Sequence, residues 1–168
     1  ALLPTTTSSE LLAENNKKNM FPKDSSREYF LHGIKQIDFY DDDKSAIENY
    51  DKALDYNPKN IYALLFRAES NWRLQNYDLA LEDINTVLEI DPGNKYAIYD
   101  RAKVNADAGN HLIAIKNYSE SIKKGIELEY AYANRGTLNS WTGNAAGACS
   151  DWRASISSGN DDASAYSS

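Results

Sequence analysis

The stretch SAIENYDKALDYNPKN at residues 45–60 is answered by LALEDINTVLEIDPGN at residues 79–94. An alanine, a large side chain and a proline keep one spacing in both: Ala46, Tyr50 and Pro58, then Ala80, Ile84 and Pro92. The step is 34 residues, and it continues. Ala114 and Ala148 extend the alanine series, and Tyr118 and Trp152 extend the large one. Asp42, Asn76, Asn110 and Asn144 form a third series, Ala68, Ala102 and Gly136 a fourth, and Arg67, Arg101 and Arg135 a fifth. The opening stretch therefore returns as IAIKNYSESIKKGIEL at 113–128 and more faintly as GACSDWRASISSGNDD at 147–162.

Each series has a physical task. Asp42, Asn76, Asn110 and Asn144 stand just before apolar-periodic runs, where a short side-chain oxygen accepts from an unpaired first-turn N–H. Gly109 and Gly143 precede two of these caps and suit a tight turn. The alanines let a neighbouring helix approach, and the large residue one turn later fills the gap. Pro58 and Pro92 close two repeats, since proline is poorly tolerated inside a helix. The spacing predicts first helices over about 26–39, 61–74, 95–108 and 129–142, and second helices over about 43–56, 77–90, 111–124 and 145–158. Ser25 and Glu28 have the spacing of a capping box. Gly33 to Ala46 is one residue longer than Ala68 to Ala80, which places one extra residue in the turn Asp41-Asp42-Asp43.

This pattern resembles the tetratricopeptide repeat over about residues 26–162. That family places small residues at repeat positions 8 and 20, an aromatic near 24 and proline at 32. Position 8 here holds Gly33, Ala68, Ala102 and Gly136, and position 20 is alanine throughout. Ile126 and Asn160 depart from the proline position. Asn71, Asn105 and Asn139 stand where an aromatic is usual, a departure expected to loosen packing between repeats. The resemblance implies an all-α fold, a right-handed α-solenoid of about four helix–turn–helix repeats (about 26–60, 61–94, 95–128 and 129–162). Such pairs bury their apolar faces only by stacking. The array is expected over 25–162, after an extended N-terminal arm over 1–24 and before the start of an incomplete capping helix at 163–168. The run Cys149-Ser150-Asp151-Trp152-Arg153 is similar to the closing repeat of cyanobacterial members, which suggests a cyanobacterial or plastid lineage.

In this family the first helices line a concave face. By resemblance the partner-binding groove is formed by Phe30, Tyr62, Phe66, Trp72, Arg73, Tyr96, Tyr99, Lys103, Tyr130, Asn134 and Trp141. Aromatic side chains of this kind dominate interface hot spots. The implied function is a protein–protein interaction scaffold that binds a peptide or helix of a partner protein. The alternative is an assembly subunit held in a larger complex, such as a photosynthetic membrane complex, by its arm and C-terminal end. Chaperone-binding members clamp a C-terminal carboxylate with Lys, Asn and Arg. The corresponding positions here are Phe30, Ile34 and Phe66, or Leu65, Glu69, Asp100, Tyr130 and Asn134, and neither register matches.

The remaining features narrow the function. The net charge is −7 and the sequence pI about 4.8, which argues against nucleic acid. No run is long and apolar enough to span a bilayer, so any membrane association is expected to be peripheral and through a partner. The compartment is left open: cytoplasmic, or lumenal or periplasmic if a targeting segment was removed before Ala1. Cys149 is the single cysteine and is expected to be buried beside Ala148. His32 and His111 fall in different repeats, and the Asp41–Asp43 run lacks the pattern of a calcium loop. Asn117-Tyr118-Ser119 is a glycosylation sequon placed inside a helix. No metal site, cofactor motif or catalytic motif is expected, and the chain is read as a non-enzyme.

Overall fold

The computed structural model describes residues 25–165. The arm expected over 1–24 and the last three residues of the expected cap lie outside them. Among the described residues there is no strand, and eight helices follow one another: α1 (Ser25–Tyr40), α2 (Asp43–Tyr56), α3 (Ile61–Arg73), α4 (Tyr77–Ile90), α5 (Lys95–Asp107), α6 (His111–Lys123), α7 (Leu128–Trp141) and α8 (Ala145–Ala165). The first seven agree with the expected bounds to within one residue. The chain forms two compact units with their boundary between Pro92 and Gly93. In the first, α1 packs on α2, α2 on α3 and α3 on α4; in the second, α5 packs on α6, α6 on α7 and α7 on α8.

The last helix departs from expectation. It runs unbroken through residue 165, so 163–165 prolong α8 and begin no separate cap. The reason is local. Pro58 and Pro92 stop α2 and α4, because the residue before a proline is driven out of helical geometry. The third repeat also lacks the proline, but its left-handed Gly125 (φ 70°) ends α6; in the fourth the equivalent Gly159 stays helical and Asn160 imposes no stop.

The turns inside the repeats show how the 34-residue step becomes structure. Asp41, Gln75, Gly109 and Gly143 are equivalent, and all have left-handed backbone, with φ of 50°, 63°, 80° and 86°. Such a residue ends the first helix and redirects the chain. The next residue's N–H closes the turn: Asn76 donates to the Asn71 carbonyl at 2.8 Å, Asn110 to Asn105 at 2.9 Å, and Asn144 to Asn139 at 2.8 Å. In the first repeat Asp42 N–H reaches the Gln36 carbonyl at 3.1 Å, one residue further back. That is the extra residue expected in the acidic turn.

The caps are more varied than expected. Asp42 and Asn144 accept from Ser45 N–H and Gly147 N–H, both at 3.1 Å. Asn76 and Asn110 sit at the cap position but make no side-chain cap bond. Their amides instead donate to Asn71 Oδ1 and Asn105 Oδ1, each at 3.3 Å, as Asn144 does to Asn139 Oδ1 at 3.1 Å. The asparagines at position 11 thus pin the turn of their own repeat, a positive role for what the sequence shows only as a departure.

The core follows the two alternating series. Ala46, Ala80 and Ala114 are wholly buried, and Tyr50, Ile84 and Tyr118 beside them are at most 1% exposed. The apolar part of each such large side chain contributes about 1.5–3 kcal/mol by leaving water. In the fourth repeat Trp152 stays 41% exposed and lies across Gly136, where a Cβ would come within 2.8 Å of its ring. Cys149 is exposed, contrary to expectation. It is one residue from buried Ala148, about 100° round the helix, and that rotation takes it off the packed face.

Arginine at position 7 ties neighbouring helices, a role the sequence reading missed. Arg67 donates through Nε and Nη2 to both oxygens of Asp83 (2.8 and 2.6 Å), and through Nη1 to Asp51 (2.6 Å). It therefore joins α2, α3 and α4. Arg135 repeats this with Asp151 (2.9 and 2.6 Å) and with Ser119 (2.9 Å). In the third repeat the position of Asp83 and Asp151 is Asn117. Arg101 turns to Glu120 at 2.8 Å, and its Nε is buried without a hydrogen-bond partner. Asn117→Asp is expected to supply the absent acceptor and raise stability by about 1 kcal/mol, read as a higher urea midpoint with an unchanged slope. A lower midpoint would show that desolvating the new carboxylate outweighs its two bonds.

Candidate interaction face

In the first unit the candidate residues come from α1 and α3. Tyr62, Phe66, Glu69 and Arg73 recur at helical spacing along one stripe of α3. Phe30 on α1 meets Phe66 edge-on at 5.4 Å and Tyr62 at 6.3 Å. Phe30 is only 1% exposed. The two α3 rings cover it, so it supports the face from beneath and is unavailable to a partner. Tyr62, Phe66 and Trp72 are half-buried, each with part of its surface open. Arg73 stands at the end of the stripe, 3.6 Å from Asp41, 4.0 Å from Asp43 and 3.6 Å from Glu69.

The second unit draws its candidates from α5 and α7. Asn134 Nδ2 donates to the Tyr99 hydroxyl at 3.2 Å, which joins the two helices. Tyr99 also meets Tyr118 edge-on at 5.9 Å, and burial pushes its hydroxyl pKa up to about 12. Lys103 is buried with Asp100, 3.5 Å away, so its charge is met inside the protein and is not presented to a partner. Tyr96 is half-buried with Lys95 over its ring at 5.1 Å. Tyr130 and Trp141 are 49% and 68% exposed, three turns apart on α7. The His111 ring lies 5.6 Å from Trp141.

Sequence reasoning did not find the acidic surroundings of Arg73. Their signal was the Asp41–Asp43 run together with Glu69 and Arg73 at i, i+4. No group of three His, Cys, Asp or Glu among the described residues could hold a metal ion. No helix of the described residues is long and apolar enough to cross a membrane.

Comparison with known proteins agrees with the fold. The tetratricopeptide repeat family model matches residues 44–95. No curated protein sequence matches the chain. Among solved structures, a crystal structure of MamA is similar with a TM-score of 0.76 at 16% identity, covering 93% of this chain and 86% of that one. A MamA fragment from Desulfovibrio magneticus RS-1 gives 0.71 at 16% identity, over 89% and 81%. The first tetratricopeptide domain of Spaghetti (RPAP3), bound to the HSP90 peptide SRMEEVD, gives 0.65 at 19% identity, over 70% and 93%. The chain has the tetratricopeptide-repeat fold, and residues 44–95 carry the sequence of that repeat.

Proposed function

We propose that the chain is a non-enzymatic interaction scaffold whose first-helix faces receive an extended peptide or a helix of a partner protein. The contact residues are Tyr62, Phe66, Trp72 and Arg73 in the first unit and Tyr96, Tyr99, Tyr130, Asn134 and Trp141 in the second. One observation carries the reading: large aromatic side chains stand open at helical spacing, with Tyr130 about half exposed and Trp141 more so. Exposed aromatic area of this kind is costly in water and valuable at an interface. The peptide-bound Spaghetti domain supports the same use of the fold. Its ligand, SRMEEVD, is acidic, and this chain has Glu69 and Asp100 where the carboxylate-binding pattern calls for Asn. The partner is therefore of a different chemistry.

A photo-crosslinking amino acid placed at Phe66 or Trp141 in the native host tests this. Adducts to a discrete protein are expected from those two sites and not from Glu48 or Glu82, which are exposed on α2 and α4. Equal labelling from all four, or none, would overturn the reading. Trp72→Ala is expected to cut the yield from Phe66 about tenfold while stability changes by about 1 kcal/mol, since its ring is only half-buried. Global unfolding of that variant would make Trp72 a core residue.

A permanent assembly subunit is the second reading. Leu112 and Ile113 favour it, being adjacent on α6 and 75% and 53% exposed. A purified chain that stays monomeric at high concentration would count against it.

A further inference from the structure

The charge of the chain is concentrated in one place. Residues 25–92 hold fourteen Asp and Glu against seven Lys and Arg, so this segment alone accounts for the net −7. Residues 93–168 hold eight of each and are neutral. Within the first unit, carboxylates gather where α1 turns into α2 beside the end of α3. Asp38 is exposed, the Asp41 side chain is 90% exposed, and Asp43 and Glu69 lie deeper, with side chains 13% and 10% exposed. Arg73 is the cation among them, and its distances of 3.6–4.0 Å contrast with the 2.6–2.9 Å of the Arg67 and Arg135 contacts. One guanidinium is shared loosely among several carboxylates.

A second observation points into the same place. The Tyr50 side chain is fully buried and its hydroxyl has no hydrogen-bond partner. The charges of Asp38, Asp43 and Arg73 act on it. Asp43 Oδ1 is likewise buried and unpartnered, and burial pushes the Asp43 carboxyl pKa up. An unmet carboxylate acceptor at this depth is costly, and a donor-rich cation among these carboxylates would offset it; the Tyr50 oxygen can accept from the same donor. The carboxylates do not converge closely enough for a metal ion. Their spread suits an ammonium or guanidinium group on a side chain. Beside them Phe39 and Tyr40 are 75% and 73% exposed, which gives a cation an aromatic surface to pass over.

We propose that the acidic end of the first unit, formed by Asp38, Asp41, Asp43 and Glu69 with Phe39 and Tyr40 at its rim, receives a lysine or arginine side chain of the bound segment. The proposal rests on the peptide-binding reading above and specifies the partner as basic. Steering follows from the same charge: a cationic segment is drawn to the unit before it docks.

The test uses the full chain and three labelled twelve-residue peptides of alternating leucine with lysine, glutamine or glutamate, followed by fluorescence anisotropy. The lysine peptide is expected to bind best and the glutamate peptide not to bind. The double variant Asp38→Asn/Asp41→Asn is expected to weaken the lysine peptide about tenfold. The control, Asp55→Asn/Glu89→Gln, removes the same charge from exposed positions elsewhere in the unit and is expected to change little. Equal weakening by both double variants would mean bulk attraction only and overturn the proposal. Equal binding of all three peptides, each weakened by Trp72→Ala, would overturn it while leaving the peptide-binding face intact. No binding by any peptide would overturn both.

Discussion

Replacing Arg67 by methionine is expected to lower the unfolding free energy by about 3 kcal/mol at neutral pH. Methionine keeps most of the volume, so the loss reports the charge. Asp83, whose side chain is 5% exposed, would lose both short bonds and remain a carboxylate inside the protein. The contact to Asp51 contributes little, because that side chain is about half exposed. Burial pushes the Asp83 pKa up, while the hydrogen bonds and charge of Arg67 pull it down. The upward push already prevails with Arg67 present, and without Arg67 it acts unopposed. The folded-state pKa then lies above the unfolded value, and the folded form takes up a proton as pH falls between the two. Stability of the variant relative to the parent therefore rises as pH is lowered. Urea denaturation at about pH 7 and about pH 5 should show the defect shrinking at the lower value. A defect of the same size at both would mean that no buried carboxylate is left behind. Adding Asp83→Asn should recover part of the loss at neutral pH.

Gly33→Ala is expected to cost about 3 kcal/mol, a large effect for one methyl group in a helix. In an open helix the same change would stabilise. Here a Cβ would stand 2.3 Å from the Tyr50 ring, and that ring is held by Phe30 at 6.0 Å and Phe66 at 6.2 Å. It has nowhere to retreat. The second repeat fills the equivalent space with Ala68 and Ile84. The double variant Gly33→Ala/Tyr50→Ile should therefore recover most of the stability. Melting curves of the three proteins decide the matter, and a double variant no better than the single one would show that Gly33 is needed for another reason.

The positions of the first seven helices were legible in the sequence to within a residue because caps, small residues and prolines mark ends locally, and the repeat supplied each mark several times; the end of α8, where no such mark stands, was not. Even the longer first turn was readable, from the offset between Gly33 and Ala46. Side-chain partnership was less legible. The step of Arg67, Arg101 and Arg135 was plain, but their bonds depend on which residue the following helix offers, and Asn117 breaks the rule that Asp83 and Asp151 follow. The face was legible in kind only. Residue type and helical spacing place Phe30 and Lys103 on it, yet whether they reach solvent depends on neighbours such as Tyr62, Phe66 and Asp100 lying over or against them. Cys149 shows the same limit at the scale of one residue, where a single step round a helix changes inside to outside.

The pairing of Gly33 with Tyr50, Ala68 with Ile84 and Gly136 with Trp152 constrains how such a gene could be recombined. A crossover that exchanged only the second helices of the first two repeats would set Tyr50 against Ala68 and leave Gly33 facing the smaller Ile84, one junction crowded and the other hollow. Breakpoints that keep the two helices of a repeat together inherit a matched set, so insertions and deletions by whole multiples of the period are the genetic changes this architecture tolerates.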